Sequence, residues 1–188
     1  EILNNHKQTA SSMLTNLSDF MRIGLNYGDE LILLSNELLH AKSYINIMNF
    51  RFSQKIAVIC TIQPELMNCL ILKSILQPLV ENAVQHGIHD CMETGRIVMS
   101  IHRNQDMIDI TVSDNGAGMT EEMIARVMAG RADQNEEDRF STGIAVRNVI
   151  DRLQLYYKEE NLFTIESDGP GKGTRVHIIL PVYKDELE

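Results

Sequence analysis

Glu81-Asn82-Ala83-Val84-Gln85-His86-Gly87 and, further along, Asp114-Asn115-Gly116-Ala117-Gly118 decide the fold, because together they describe the two walls of one nucleotide pocket. The second stretch closes the run Met107-Ile108-Asp109-Ile110-Thr111-Val112-Ser113, which alternates apolar and polar residues as a half-buried strand does. Side chains along a strand alternate faces, so Asp114 falls in phase with Ile108, Ile110 and Val112 and its carboxylate points inward. A carboxylate on an apolar face is costly unless it meets a donor. The 6-amino group of adenine is such a donor, whereas the 6-oxo group of guanine sets acceptor against acceptor, so Asp114 reads as an adenine selector. Gly116 and Gly118 let the backbone turn sharply and lie close to a flat ring. Taken alone, the segment reads equally well as an Asp-Asn-Gly turn between strands.

The first stretch shifts that balance. Leu72, Ile75, Leu76, Leu79 and Ala83 recur at helical spacing, which predicts one long helix running to about His86. Asn82 and His86, four apart, share a neighbouring face that looks into the pocket. Pro78 lacks an amide hydrogen and so either opens this helix in its first turn or kinks it. Asn82 offers a neutral side-chain oxygen suited to Mg²⁺, which takes oxygen ligands and bridges substrate phosphates while keeping several waters. Glu81 is placed to orient one of those waters. His86 by itself fits better as a hydrogen-bonded histidine at a helix end.

Working outward, residues 55–62 read as a strand, and 95–102 and 106–113 as a hairpin about Asn104-Gln105. Residues 121–128 read as a helix capped by Thr120, 143–157 as another helix, and 162–166 and 174–182 as closing strands. Helices on one face of a largely antiparallel sheet give an α+β fold, a two-layer α/β sandwich. Residues 130–139 are too polar to bury and too long for a simple connection; they read as a lid over the phosphates or as a solvated loop. Ser141-Thr142-Gly143 then opens a helix whose free amides and positive dipole end suit phosphate oxygens. Arg147 and Asn148, a turn later, are placed for the same groups, although a surface arginine is the commoner fate. The Thr174 hydroxyl is suited to a hydrogen bond near adenine, or is that of an ordinary strand threonine. Upstream, residues 9–25 and 28–52 are helical in period. The stripe Leu31, Leu34, Leu38, Ala41, Ile45 and Met48 fits a dimer seam or a face packed on its own domain.

The order Glu-Asn-Ala-x-x-His-Gly, Asp-x-Gly-x-Gly, Gly143 opening a helix, and Gly171-Lys172-Gly173-Thr174 before a last strand resembles the Bergerat-type ATP-binding fold of histidine kinases. Type II topoisomerases, a heat-shock chaperone and the mismatch-repair MutL proteins share that GHKL superfamily. Leu76-Gln77-Pro78-Leu79-Val80-Glu81-Asn82-Ala83, with Tyr44 and Arg51-Phe52 upstream, looks like the LytS/YesM group of bacterial sensor kinases. The resemblance covers nearly the whole chain and implies ATP and Mg²⁺ as ligands. By matching motif it places Glu81 and Asn82 in catalysis, with Asn82 on the metal. It puts His86, Asp114, Gly116, Gly118, Gly143, Arg147, Asn148 and Thr174 on the nucleotide. It further implies that 1–53 is a remnant of the dimerisation and phosphoacceptor region and 54–188 the catalytic domain. The parent is expected to be a homodimer anchored in the bacterial membrane that passes phosphate to a response regulator.

Three departures bear on activity. Gly143-Ile144-Ala145-Val146 replaces the family's Gly-Ile-Gly-Leu, which weakens close backbone approach at Ala145. Gln85 stands where a basic residue is frequent. Pro78 occupies the place where hydrolytic members carry a glutamate base, which favours phosphoryl transfer to histidine over steady hydrolysis. The family's Pro-His-Phe phosphoacceptor motif is not present in this sequence; His6, in Asn4-Asn5-His6-Lys7, does not match it. The rival expectations are a decayed, non-catalytic binding module and, behind it, an ATP-gated clamp ATPase.

At 188 residues, 44% hydrophobic and 23% charged, the chain has enough apolar material for one good core plus an appended element. A net charge of -9 disfavours a nucleic-acid groove, which needs a basic stripe. No apolar stretch approaches the length of a membrane span, and the start Glu1-Ile2-Leu3-Asn4-Asn5 is not that of a signal peptide, so the sequence reads as an excised cytoplasmic piece. Cys60, Cys69 and Cys91 have no metal-ligand spacing and read as reduced thiols.

Overall fold

The computed structural model of the chain describes residues 2–25, 30–52, 56–88, 94–130 and 140–184. Helix α1 (Ile2–Gly24) is followed by a short strand β1 (Leu31–Leu33) and helix α2 (Leu34–Phe52). The two helices lie antiparallel, with the Phe20 ring against His40 and Tyr44 and Asn46 donating to Asn16 at 3.0 Å. The chain continues through β2 (Ala57–Ile62), β3 (Cys69–Leu72), and α3 (Leu76–Asn82), which widens into a π-helical turn at Ala83–Ile88. After β4 (Arg96–Asn104) and β5 (Met107–Asp114) come α4 (Glu121–Ala129), α5 (Phe140–Tyr157), β6 (Phe163–Glu166), β7 (Arg175–Pro181) and β8 (Tyr183–Lys184).

Two expectations from periodicity are corrected. Leu31–Leu33 is a strand rather than the start of a helix, and Leu72 belongs to a strand rather than to the helix that carries Asn82. The reason is mutual: these short apolar runs pair antiparallel, Leu31 opposite Leu72 and Leu33 opposite Leu70. Such runs are ambiguous by period alone. The helix cannot extend back over Leu72 because Ser74 sits at φ 57°, in the left-handed region. Pro78 then falls in the first turn of α3, where its missing amide costs nothing.

The main sheet has the order β2-β4-β5-β7-β6, with β2 parallel to β4 and every other pair antiparallel. The hairpin between β4 and β5 turns one residue later than the sequence suggests, at Gln105-Asp106, with Gln105 at φ 57°. One face of the sheet presents Ile97, Met99, Ile101, Ile108, Ile110, Val176, Ile178 and Leu180, all buried in the same core as Val149, Ile150 and Leu153 of α5. Each such aliphatic side chain contributes about 1.5–3 kcal/mol when fully buried. The two-layer α+β architecture is therefore the expected one. Leu34, Leu38, Ala41 and Ile45 of α2 are buried in that core as well, so the stripe with two readings packs on the chain's own domain.

Candidate nucleotide-binding site

Strand β5 ends on Asp114, in phase with Ile108, Ile110 and Val112, which are at most 4% exposed. Its carboxylate thus reaches the helix-side end of the sheet, as the alternation predicts. The Gly116 amide donates to Oδ1 at 2.7 Å, and the Asp114 amide donates to the Thr174 carbonyl at 2.9 Å. Burial pushes the Asp114 carboxyl above its usual value of 3.8, while the amides of Gly116 and Thr174 pull it back. A half-buried carboxylate acceptor with backbone donors on one side is suited to receive an amino group on the other. Thr174 is 8% exposed and sits beside it.

The loop after Asp114 and the loop before β7 are stitched together. The amides of Gly173 and Gly171 donate to the carbonyls of Gly116 (3.1 Å) and Ala117 (2.6 Å). Ser167, which the sequence reading did not single out, locks both loops: its Oγ accepts from the Met119 amide at 3.0 Å and donates to the Gly173 carbonyl at 2.7 Å. A side chain on Gly118 (φ +66°) would stand 2.2 Å from the Gly169 carbonyl oxygen, so this glycine is required by contact as well as by conformation.

Helix α3 ends on Asn82, and the π-helical turn that follows packs against β5, the strand that ends on Asp114. Asn82 Oδ1 is buried and has no hydrogen-bond partner among the described residues. A buried oxygen left without a donor is costly in an apo protein and fits a ligand that brings its own positive charge. Glu81 accepts from Gln77 Nε2 at 2.8 Å, which fixes its carboxylate one turn along the same helix. Gln85 donates to the Tyr44 hydroxyl at 3.4 Å and is thus directed at α2. His86 lies in the π-helical turn.

The segment expected to meet the phosphates differs from its sequence reading. Helix α5 opens at Phe140, so Gly143 completes its first turn instead of starting it, and the amides left free by helix geometry lie upstream. Arg147 donates to the Met128 carbonyl and pairs with Asp151 at 2.5 Å; it anchors the end of α4. Asn148 is exposed on α5. Helix α4 carries the expected cap, with Thr120 Oγ1 accepting from the Met123 amide at 3.2 Å. The lid expected over 130–139 lies, apart from Gly130, outside the described residues, as does Cys91.

The family profile described as histidine kinase-, DNA gyrase B- and HSP90-like ATPase matches residues 68–184, and that of the histidine kinases matches residues 1–56. The chain belongs to the histidine kinases. Its fold is that of the ATP-binding module of two-component sensor kinases, the GHKL type. It is 36% identical to the sensor histidine kinase YpdA of Escherichia coli over 80% of this chain and 26% of that protein. It is 31% identical to the sensor protein LytS of Oceanobacillus iheyensis over 93% of this chain and 29% of that protein. The chain therefore spans under a third of the curated relatives it matches. Among solved structures, a mycobacterial sensor histidine kinase, MprB, superposes with a TM-score of 0.60 at 15% identity, covering 84% of this chain and all of that one. Among the described residues no helix is long and apolar enough to cross a membrane.

Proposed function

We propose that the chain binds Mg-ATP between the α3 end and the glycine loops after Asp114 and before β7, and that its parent transfers the γ-phosphoryl group to a histidine for relay to a response regulator. The observation that carries this reading is the buried Asn82 Oδ1 left without a donor among the described residues, facing the phosphates in this reading, together with the half-buried Asp114 carboxylate, held by backbone amides on one side and turned toward adenine on the other. Asn82 would hold the magnesium ion with Glu81 behind it, and the ion supplies charge neutralisation for the phosphates. The chain's own residues do the rest. Asp114 and Thr174 set the base, the loops of Gly116 and Gly118 admit the ring, and the start of α5 with Gly143 faces the phosphates. His86 and Asn148 are assigned to the nucleotide by matching motif. Pro78, one helical turn before Asn82, offers no carboxylate to activate water, which favours transfer over hydrolysis.

Residues 1–53 are assigned to the dimerisation and phosphoacceptor region and 54–188 to the catalytic domain. The acceptor histidine is assigned elsewhere, because the family motif is not in this sequence. The parent is read as a membrane-anchored homodimer with this part in the cytoplasm. Leu14, Leu17 and Met21 of α1, with Leu25 just past its end, support the dimer: they are spaced three or four apart and are 67%, 42%, 50% and 53% exposed. Replacing Leu14 and Leu17 by glutamine is expected to weaken self-association about a hundredfold, at about 1.5 kcal/mol per leucine. Sedimentation equilibrium measures this; an unchanged dimer constant removes α1 from the interface.

The kinase reading is tested with γ-labelled ATP. A parent protomer carrying the acceptor should gain acid-labile phosphohistidine and pass it to a response regulator, while this chain alone should not label and should turn ATP over slowly. Asn82→Ala should remove the magnesium-dependent part of nucleotide affinity, about tenfold, and leave adenosine binding in place, as read by calorimetry. A second reading, a non-catalytic module, is favoured by Gln85 being spent on Tyr44 and Arg147 on Met128 and Asp151. Nucleotide binding without any phosphotransfer by the parent would select it.

A further inference from the structure

Glu37 is a carboxylate with 0% of its surface exposed, in the first turn of α2. Its partners are main-chain amides far along the chain. The Ser74 amide donates to Oε1 at 2.6 Å, and the amides of Ile75 and Leu76 donate to Oε2 at 3.1 and 3.0 Å. These amides open α3, the helix that ends on Glu81 and Asn82. That helix has no cap of its own: Ile75 occupies the N-cap position and makes no side-chain hydrogen bond. A negative charge at this end also meets the positive end of the helix dipole. Arg152 of α5 donates to the Ser74 carbonyl at 3.3 Å, and its charge acts on Glu37. The junction is tied a second time by the pairing of β1 with β3 and by the Lys73 amide donating to the Glu30 carbonyl at 2.9 Å. From Leu76 the helix runs unbroken to Asn82, about 9 Å along its axis.

We propose that Glu37 is a positioning residue for the nucleotide site, borrowed from α2 to hold the start of α3 and so to set where Glu81 and Asn82 stand. The consequence is directional. Movement of the upstream helices reaches the magnesium end of the pocket through Glu37. The adenine end is built by the loops around Asp114, Ser167 and Gly173, which among the described residues bond to one another rather than to α3. The inference rests on the Mg-ATP reading above and assigns that site a point of control.

The test compares adenosine, ADP in chelator and Mg-ADP by calorimetry on the whole chain. In the unaltered chain, magnesium should raise ADP affinity. Glu37→Gln, which keeps the shape but loses the charge and one acceptor, should cut that gain about tenfold and leave adenosine affinity within about twofold. Glu37→Asp, keeping the charge on a shorter stem, should fall between. A folded Glu37→Gln chain that keeps the full magnesium gain, or that loses adenosine and Mg-ADP alike, overturns the proposal while the Mg-ATP reading stands. No magnesium gain in the unaltered chain takes down both. Should Glu37→Gln not fold, hydrogen exchange on the unaltered chain decides. Mg-ADP should slow exchange at Ser74, Ile75 and Leu76 about tenfold more than adenosine does, and equal protection by the two overturns the proposal.

Discussion

Asp114→Asn is expected to lower adenine-nucleotide affinity by about 3 kcal/mol, more than a hundredfold, with the fold retained. Donors and acceptors around the side chain set this loss. The aspartate receives the Gly116 amide at 2.7 Å and feels the Thr174 amide as a second donor. An asparagine that keeps its oxygen toward these amides must turn its own NH₂ toward the adenine amino group, donor against donor. The opposite flip leaves the NH₂ against the backbone amides. Either orientation leaves a buried polar group unsatisfied. Guanine nucleotides should bind the unaltered protein poorly for the mirror-image reason. The same geometry fixes a pH dependence. Burial raises the Asp114 carboxyl above 3.8, and the base needs the ionised form as acceptor. Affinity should therefore be full above the raised value and fall as pH drops through it, earlier than for an exposed aspartate. Calorimetry across acidic pH measures the step; a pH-independent loss in Asp114→Asn and a step in the unaltered chain is the expected pair of results.

How far the sequence carried this reading depends on whether a pattern is local. Alternation along 107–113 placed Asp114 on the inner face, and the N-cap preference of threonine before a helical stretch placed Thr120 at a helix start; both stand in the structure because each depends on neighbours in sequence. The layered α+β sandwich followed from the same signals. What was not legible depends on partners far away. Leu31–Leu33 and Cys69–Leu72 are apolar runs with no period of their own, and only their mutual pairing makes them strands. The choice between a dimer seam and an internal face on α2 was settled by what covers Leu34, Leu38 and Ile45, which no spacing encodes. Glu37 did leave a trace: an acid three residues after Leu34 and four before Ala41, on the apolar side of the stripe. A charged residue in that place needs a buried partner. The identity of that partner, the open end of α3, was beyond reach. Arg147 illustrates the reverse case, a residue with a motif role whose guanidinium is occupied by Met128 and Asp151.

The second large effect belongs to Gly173, a residue with no functional group. It sits at φ +74°, and a Cβ placed on it would stand 2.1 Å from the Asp114 carbonyl oxygen and 3.1 Å from the Asn115 Cα. Both obstacles are backbone, so no side chain can rotate away. The left-handed conformation alone costs an alanine about 1–2 kcal/mol. Relieving the contact must pull the loop before β7 off the loop after Asp114, which forfeits the Gly173 amide bond to Gly116 and the Ser167 bond to the Gly173 carbonyl. With about 1 kcal/mol for each lost hydrogen bond, Gly173→Ala is expected to destabilise the chain by about 3–4 kcal/mol. The displaced loop carries Thr174, whose carbonyl and amide hold Asp114. Nucleotide affinity should thus fall even at temperatures where the variant is folded, whereas Gly171→Ala, at φ +75° with nothing within 4 Å of the new Cβ, should pay only the conformational part. Thermal unfolding and calorimetry on the two variants separate strain from contact. Equal losses in both would mean that conformation alone, and not the close approach of the two loops, makes glycine necessary at the adenine end.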